Sequence, residues 1–312
     1  MPEDPRWPRA GAWLAGGHHP EPVARLAVLG APVRLGSISG GRFDLAPAAI
    51  RNGLHRFSTF DGHVDVRTVA AQDAGDLRLS ATRPEHALQQ VAGAVGGILD
   101  TNDAVVILGG DNSLTRPACR GLGPDLSRVG LLTLDAHHDV RDTDGGLNNG
   151  NPVRALLDDG LPGANIVQVG IQPFANSKAY AEVAGGAGIS VVTAAEARAR
   201  GVDRVVGEVL HELGPRVDAV YVDLDVDVLD RAFAPASPGS RPGGLTPAEV
   251  QAAARLAGAH PRVRAMDIVE VDPELDVAEV TVLAAASFLL CFAAGLASRF
   301  PGDRMSPGPD SP

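Results

Sequence analysis

Short apolar runs rich in β-branched residues recur along the chain at 24–30, 104–109, 129–135, 166–170, 189–193, 217–223 and 263–269. They are apolar throughout rather than alternating, which is the pattern of parallel strands covered on both faces. Between them the period changes to that of helices. From Thr82 to Leu99, the residues Ala87, Leu88, Val91, Val95 and Leu99 recur at helical spacing, and Thr82 with Glu85 has the spacing of a capping box. Thr246-Pro247-Ala248-Glu249 is a second such start, with proline at a favoured first position. Strands alternating with helices over most of the chain predict an α/β fold, a central parallel sheet with helices on both faces. Ligands of such sheets bind beyond the carboxyl ends of the strands. No internal repeat or long linker divides the pattern, so one domain is expected over residues 20–300, with flexible tails at 1–19 and 301–312.

At 312 residues the chain can bury a substantial core, and 45% hydrophobic against 21% charged residues is the balance of an ordinary soluble domain. A formal charge of -11 with no basic patch argues against nucleic acid or an anionic membrane as partner and leaves a small molecule as the expected one. Cys119 and Cys291 lie far apart and form no Cys-x-x-Cys pair, so both are expected to be reduced. Residues 1–20 hold no apolar stretch of signal-peptide length, and a cytoplasmic location is expected. The apolar run at 280–297 includes Thr281 and Ser287 and closes a chain full of strand and helix signals; it is expected to be a buried core helix rather than a membrane span.

Three polar clusters stand at the ends of apolar runs: Gly109-Gly110-Asp111-Asn112-Ser113, Asp135-Ala136-His137-His138-Asp139 and Asp223-Leu224-Asp225-Val226-Asp227. In the second, alternate positions put three donors on one side of an extended strand end, and Asp225 with Asp227 repeats the spacing. A lone Asp-x-Asp usually caps the next helix. Several carboxylates gathered at the mouth of one sheet, by contrast, would cost several kcal/mol per charge without cations. Carboxylates plus imidazole suit manganese or a similar ion better than calcium, and structural zinc would normally recruit cysteine. Two such ions about 3.5 to 4 Å apart can hold one hydroxide between them, a nucleophile available at neutral pH.

These clusters, taken with further motifs, resemble the ureohydrolase family, which includes arginases, agmatinases and formimidoylglutamases. The further motifs are Gly41-Arg42-Phe43-Asp44 through Ala48-Ala49-Ile50-Arg51, Asp225 to Leu229 with Asp230, Gly243-Gly244-Leu245 and Glu270-Val271-Asp272-Pro273. The resemblance spans nearly the whole chain and implies a three-layer α/β/α sandwich, two Mn2+ per subunit and a homo-oligomer, trimer or hexamer. It makes Asp135 and Asp225 bridging carboxylates, with His137 and Asp227 completing one metal and Asn112 and Asp139 the other. Asp223 falls where relatives often have Ser and is read as a neighbour, and His138 as structural.

The departures narrow the reading. Most relatives have His where this chain has Asn112, and a neutral carboxamide is the weaker donor, so that metal should bind less tightly. Among formimidoylglutamases this position is not always His. Arginases also carry His where this chain has Asn149, and Asn cannot relay a proton. Gln172, Asn176 and Ser177 are neutral where arginases place charged groups for a cationic substrate end. The resemblance therefore points to formimidoylglutamase, hydrolysing N-formimido-L-glutamate to L-glutamate and formamide in histidine breakdown. Arg154 and Arg241 are candidates for the substrate carboxylates because guanidinium binds them bidentately. Glu270 would face the nitrogen end of the amidine, Asn149 is a further candidate for binding substrate, and Asp139 is the expected proton carrier. An agmatinase or another guanidino-compound hydrolase is the alternative, and a metal-poor noncatalytic member a third reading.

Overall fold

The computed structural model describes residues 4, 6–79 and 81–300. The expected tail at 301–312 lies outside them. Eight strands, β1 (Ala24–Ala31), β2 (Val69–Asp76), β3 (Ala104–Gly109), β4 (Val129–Leu134), β5 (Ile166–Ile171), β6 (Ser190–Thr193), β7 (Ala219–Leu224) and β8 (Val263–Ile268), form one sheet in the order β2-β1-β3-β8-β7-β4-β5-β6. Every pair is parallel. The helices are α1 (Ala10–Leu14), α2 (Ala46–Gly53), α3 (Pro84–Leu99), α4 (Thr115–Arg120), α5 (Pro152–Asp158), α6 (Lys178–Gly186), α7 (Ala194–Arg200), α8 (Val202–Leu213), α9 (Pro247–Ala259) and α10 (Val280–Ala297).

Successive strand residues point to opposite faces, and each face has its own core. Val106, Leu108, Val222 and Ile268 pack with Ile50, Val209, Val250 and Phe288 on one side. Val105, Ile107, Leu131 and Ala265 pack with Val91, Val95, Ala118 and Leu156 on the other. The result is the expected three-layer α/β/α sandwich. The apolar run at 280–297 is α10, and 72% of it is buried inside the molecule.

Three elements differ from the sequence expectation. Strand β2 was not foreseen because Val-Ala-Ala-Gln-Asp-Ala-Gly-Asp is buried only near its start; it is an edge strand beside β1. The segment 1–19 is not all tail: α1 is anchored by Trp13, which is 1% exposed and donates its indole N–H to the Val69 carbonyl at 2.9 Å. The Thr82–Glu85 capping box does not form. Helix α3 starts after Arg83, and Glu85 instead accepts the Leu147 N–H at 3.0 Å, tying the helix to the loop that carries Asn149. The Thr246–Glu249 box forms in full.

Candidate active site

The four central strands, β3, β8, β7 and β4, are neighbours in the sheet, and the chemistry-bearing residues follow directly from their carboxyl ends. Asn112 follows β3, Asp135 to Asp139 follow β4, Asp225 and Asp227 follow β7, and Glu270 follows β8. Each aspartate that opens a cluster turns its own chain. Asp111 accepts the Ser113 N–H at 3.0 Å, Asp135 that of His137 at 2.6 Å and Asp225 that of Asp227 at 2.8 Å. These turns fix the direction of the next donor. Asp139 and Glu270 have left-handed backbones, φ 52° and 63°, which is costly for residues with a Cβ and concentrates at functional sites.

Donor atoms of Asp135, His137 and Asp227 all lie within 4.8 Å of one another. His137 Nδ1 is 2.8 Å from Asp227 Oδ2 and 3.6 Å from Asp135 Oδ1. Asn112 brings its amide nitrogen to 2.6 Å from Asp139 Oδ2 and 3.5 Å from Asp135 Oδ2. Its backbone N–H donates to Glu270 Oε1 at 2.8 Å, and Asn149 Nδ2 donates to the same oxygen at 3.1 Å. Burial and mutual repulsion push the carboxyls of Asp135, Asp139 and Asp225 above their ordinary range, Asp135 to about 6. Burial and the nearby Asp111 push Glu270 to about 8. Burial alone would lower the His137 imidazole, but the charge of Asp227 and hydrogen bonds to Asp135 and Asp227 raise it to about 11. Burial would raise Asp227 too, yet His137 outweighs it and holds this carboxyl low. So dense a negative site calls for positive charge.

A cavity of ≈ 190 Å³ opens above this floor, lined by His137, Asp139, Asp225, Asp227 and Glu270 below and by Arg141 and Arg241 among its walls. A broader surface depression of ≈ 780 Å³ surrounds Arg51, but there Arg51 already pairs with Asp73 and Asp76. Arg241 donates to the Gly239 carbonyl and stands 2.9 Å from His137 Nε2. Arg154 is elsewhere. It lies on α5 and donates to Asp158 at 3.1 Å along the exposed helix surface, outside the cavity lining.

A family model described as the arginase family matches residues 24–295. The chain belongs to the arginase family. It is 36% identical over 274 residues to a formimidoylglutamase of Halalkalibacterium halodurans, covering 86% of each chain. Among solved structures, a formimidoylglutamase from Bacillus subtilis superposes with a TM-score of 0.87 at 30% identity, covering 95% of this chain and 94% of that one. A Trypanosoma cruzi formiminoglutamase variant solved with Mn2+ gives 0.83 at 25% identity, covering 94% and 99%.

As an arginase-family protein this is a metal-dependent hydrolase, and its donor set fits a pair of hard divalent ions: acceptor-only carboxylate oxygens and one imidazole converge on a buried pocket floor. Arg141 is the residue that sequence reasoning missed. It stands two positions after Asp139, on the same strand end, and that adjacency was the available signal. Gln172 and Asn176, noted from sequence as neutral where arginases carry charge, brace the loops of the site. Gln172 donates to the carbonyls of Asp227 and Val228, and Asn176 joins His138 N and Ala136 O. His138 is structural, its ring 2.6 Å from Gln168 Oε1. Asp223 is fully buried on β7, a neighbour of the site that feels the charges of Asp267, Asp135 and Asp139.

Proposed function

We propose that the protein hydrolyses N-formimido-L-glutamate to L-glutamate and formamide, with two Mn2+ held by Asp135, His137, Asp139, Asp225, Asp227 and Asn112. The observation that carries this reading is that two arginines, Arg141 and Arg241, are among the residues lining a cavity whose floor is carboxylate and imidazole. A substrate with an amidine at one end and two carboxylates at the other matches both surfaces. A cationic tail such as that of agmatine would face the arginines instead.

Bound divalent cations supply a lowered pKa for water and a positive field for the charge that develops as the C–N bond breaks. The remaining work belongs to side chains. Glu270, held by Asn112 N–H and Asn149 Nδ2, orients the amidine nitrogens. Asp139 takes the proton released by the attacking water and passes it to the departing amine of glutamate. Arg241, whose guanidinium stands 2.9 Å from His137 Nε2 at the cavity wall, would receive a substrate carboxylate. Manganese is favoured by the carboxylate and imidazole donors and by the Mn2+ in the T. cruzi relative. The family resemblance also supports a homo-oligomer, trimer or hexamer, which sedimentation would test. Manganese-loaded protein should release glutamate from formimidoylglutamate and leave arginine and agmatine intact. Urea from agmatine would overturn the assignment.

A further inference from the structure

Behind Asn112, away from the cavity, lies a buried polar chain that the reaction does not touch. Thr115, in the first turn of α4, has its Oγ1 2.7 Å from Asn112 Oδ1 and 2.9 Å from Asp267 Oδ2. Asp267, on β8, also accepts the Tyr221 hydroxyl at 2.7 Å and the Leu224 N–H at 3.1 Å. Asn112, Thr115, Tyr221 and Asp267 are all fully buried, so water cannot complete their hydrogen bonds.

A threonine hydroxyl has one hydrogen to donate. With Asn112 Oδ1 toward Thr115, that hydrogen is claimed by two acceptors, the amide oxygen and the Asp267 carboxylate. Turning the amide by half a turn about Cβ–Cγ removes the conflict. Asn112 Nδ2 then donates to Thr115 Oγ1, and Thr115 donates to Asp267 Oδ2, in a carboxylate held as an acceptor by Tyr221 at Oδ2 and by Leu224 N–H at Oδ1. The same turn brings Oδ1 to face Asp139 and Asp135, where three oxygens meet and a bound cation would stabilise the contact.

We propose that Thr115 and Asp267 are positioning residues that hold the Asn112 amide with its oxygen toward the metal pair, compensating for a ligand weaker than imidazole. This rests on the reading of Asn112 as a ligand. The pair fixes an amide as a hydrogen-bonded carboxylate fixes a ligating histidine, and loss of such a partner typically costs about 10- to 100-fold in metal affinity.

The test is Mn2+ titration followed by the EPR signal of the free ion, with bound metal counted after dialysis. Thr115→Val, which keeps the shape and removes the hydroxyl, should weaken one of the two sites about tenfold or more and leave the other unchanged. Thr115→Ser should restore it, and Asp267→Asn should act like Thr115→Val. Asn112→Ala should lose the same site, with Thr115→Val adding nothing further in the double variant. Asn112→Ala with two tightly bound Mn2+ would overturn the ligand reading itself. Loss of a site in Asn112→Ala but not in Thr115→Val or Asp267→Asn would overturn the positioning role alone.

Discussion

Gly239 offers no side chain to the reaction, yet Gly239→Ala should cripple the site. An added Cβ would lie 2.2 Å from Asp227 Oδ2 and 3.1 Å from Asp227 Cγ. Ordinary contact begins at 3.4 Å, so the carboxylate or the loop must give by about 1.2 Å. Neither moves freely. Asp227 Oδ2 is 2.8 Å from His137 Nδ1, and Oδ1 accepts the Ala136 N–H at 3.1 Å. The Gly239 carbonyl in turn accepts from Arg241, so a loop shift displaces that guanidinium as well. A misplacement on the order of 1 Å can cost about 100-fold in rate. The expected result is kcat down about 100-fold, with weaker retention of the metal that uses His137 and Asp227. The strain is local, so circular dichroism at 25 °C should show an unchanged fold. Gly239→Ala protein with wild-type metal content and wild-type kcat would refute the placement of Asp227 as a ligand constrained by this loop.

Asn112→His should strengthen retention of the weaker metal, read as Mn2+ remaining after dialysis; unchanged content would remove Asn112 from the ligand set. Arg141→Met and Arg241→Met should each raise KM for formimidoylglutamate about 10- to 100-fold, as loss of a charge-assisted contact implies, while Arg154→Met should leave it within about twofold. Asp159 receives both Arg116, through two bonds of 2.8 Å, and Arg120, and although burial opposes it these partners hold its carboxyl below the usual range. Its stabilisation is therefore present above the ordinary aspartate pKa and lost as pH falls through the lowered folded value. Asp159→Asn should cost about 1 kcal/mol at neutral pH after solvent screening, and the difference from wild type should vanish in acid urea melts; a difference that grows on acidification would contradict the sign.

What the chain disclosed in advance follows from how many physical demands each residue meets. The strands β3, β4, β7 and β8 are buried on both faces, so nearly every position had to be apolar and the run was visible. Strand β2 has one neighbour and an exposed second half, and nothing in its composition separates it from a loop. The proposed metal donors stood out for a similar reason: few residue types bind hard cations, and alternate spacing at a strand end leaves few positions for them. The cavity wall obeys no such rule. An arginine is welcome on any surface, and nothing local to Arg154 or Arg141 says that the second borders the cavity while the first pairs with Asp158 along α5. Glu85 makes the same point from the other side. Its spacing from Thr82 satisfied a local motif, but the loop at Leu147 offered an unpaired N–H, and a bond between distant segments prevailed over one within a helix turn. On the proposed reading, substrate choice rests with residues brought together from different loops, and reaction class with the residues that end each strand. That division predicts that exchanging wall residues such as Arg141 and Arg241 alters which amidine is cleaved without disturbing metal content, whereas changes at the strand ends abolish hydrolysis of every substrate alike.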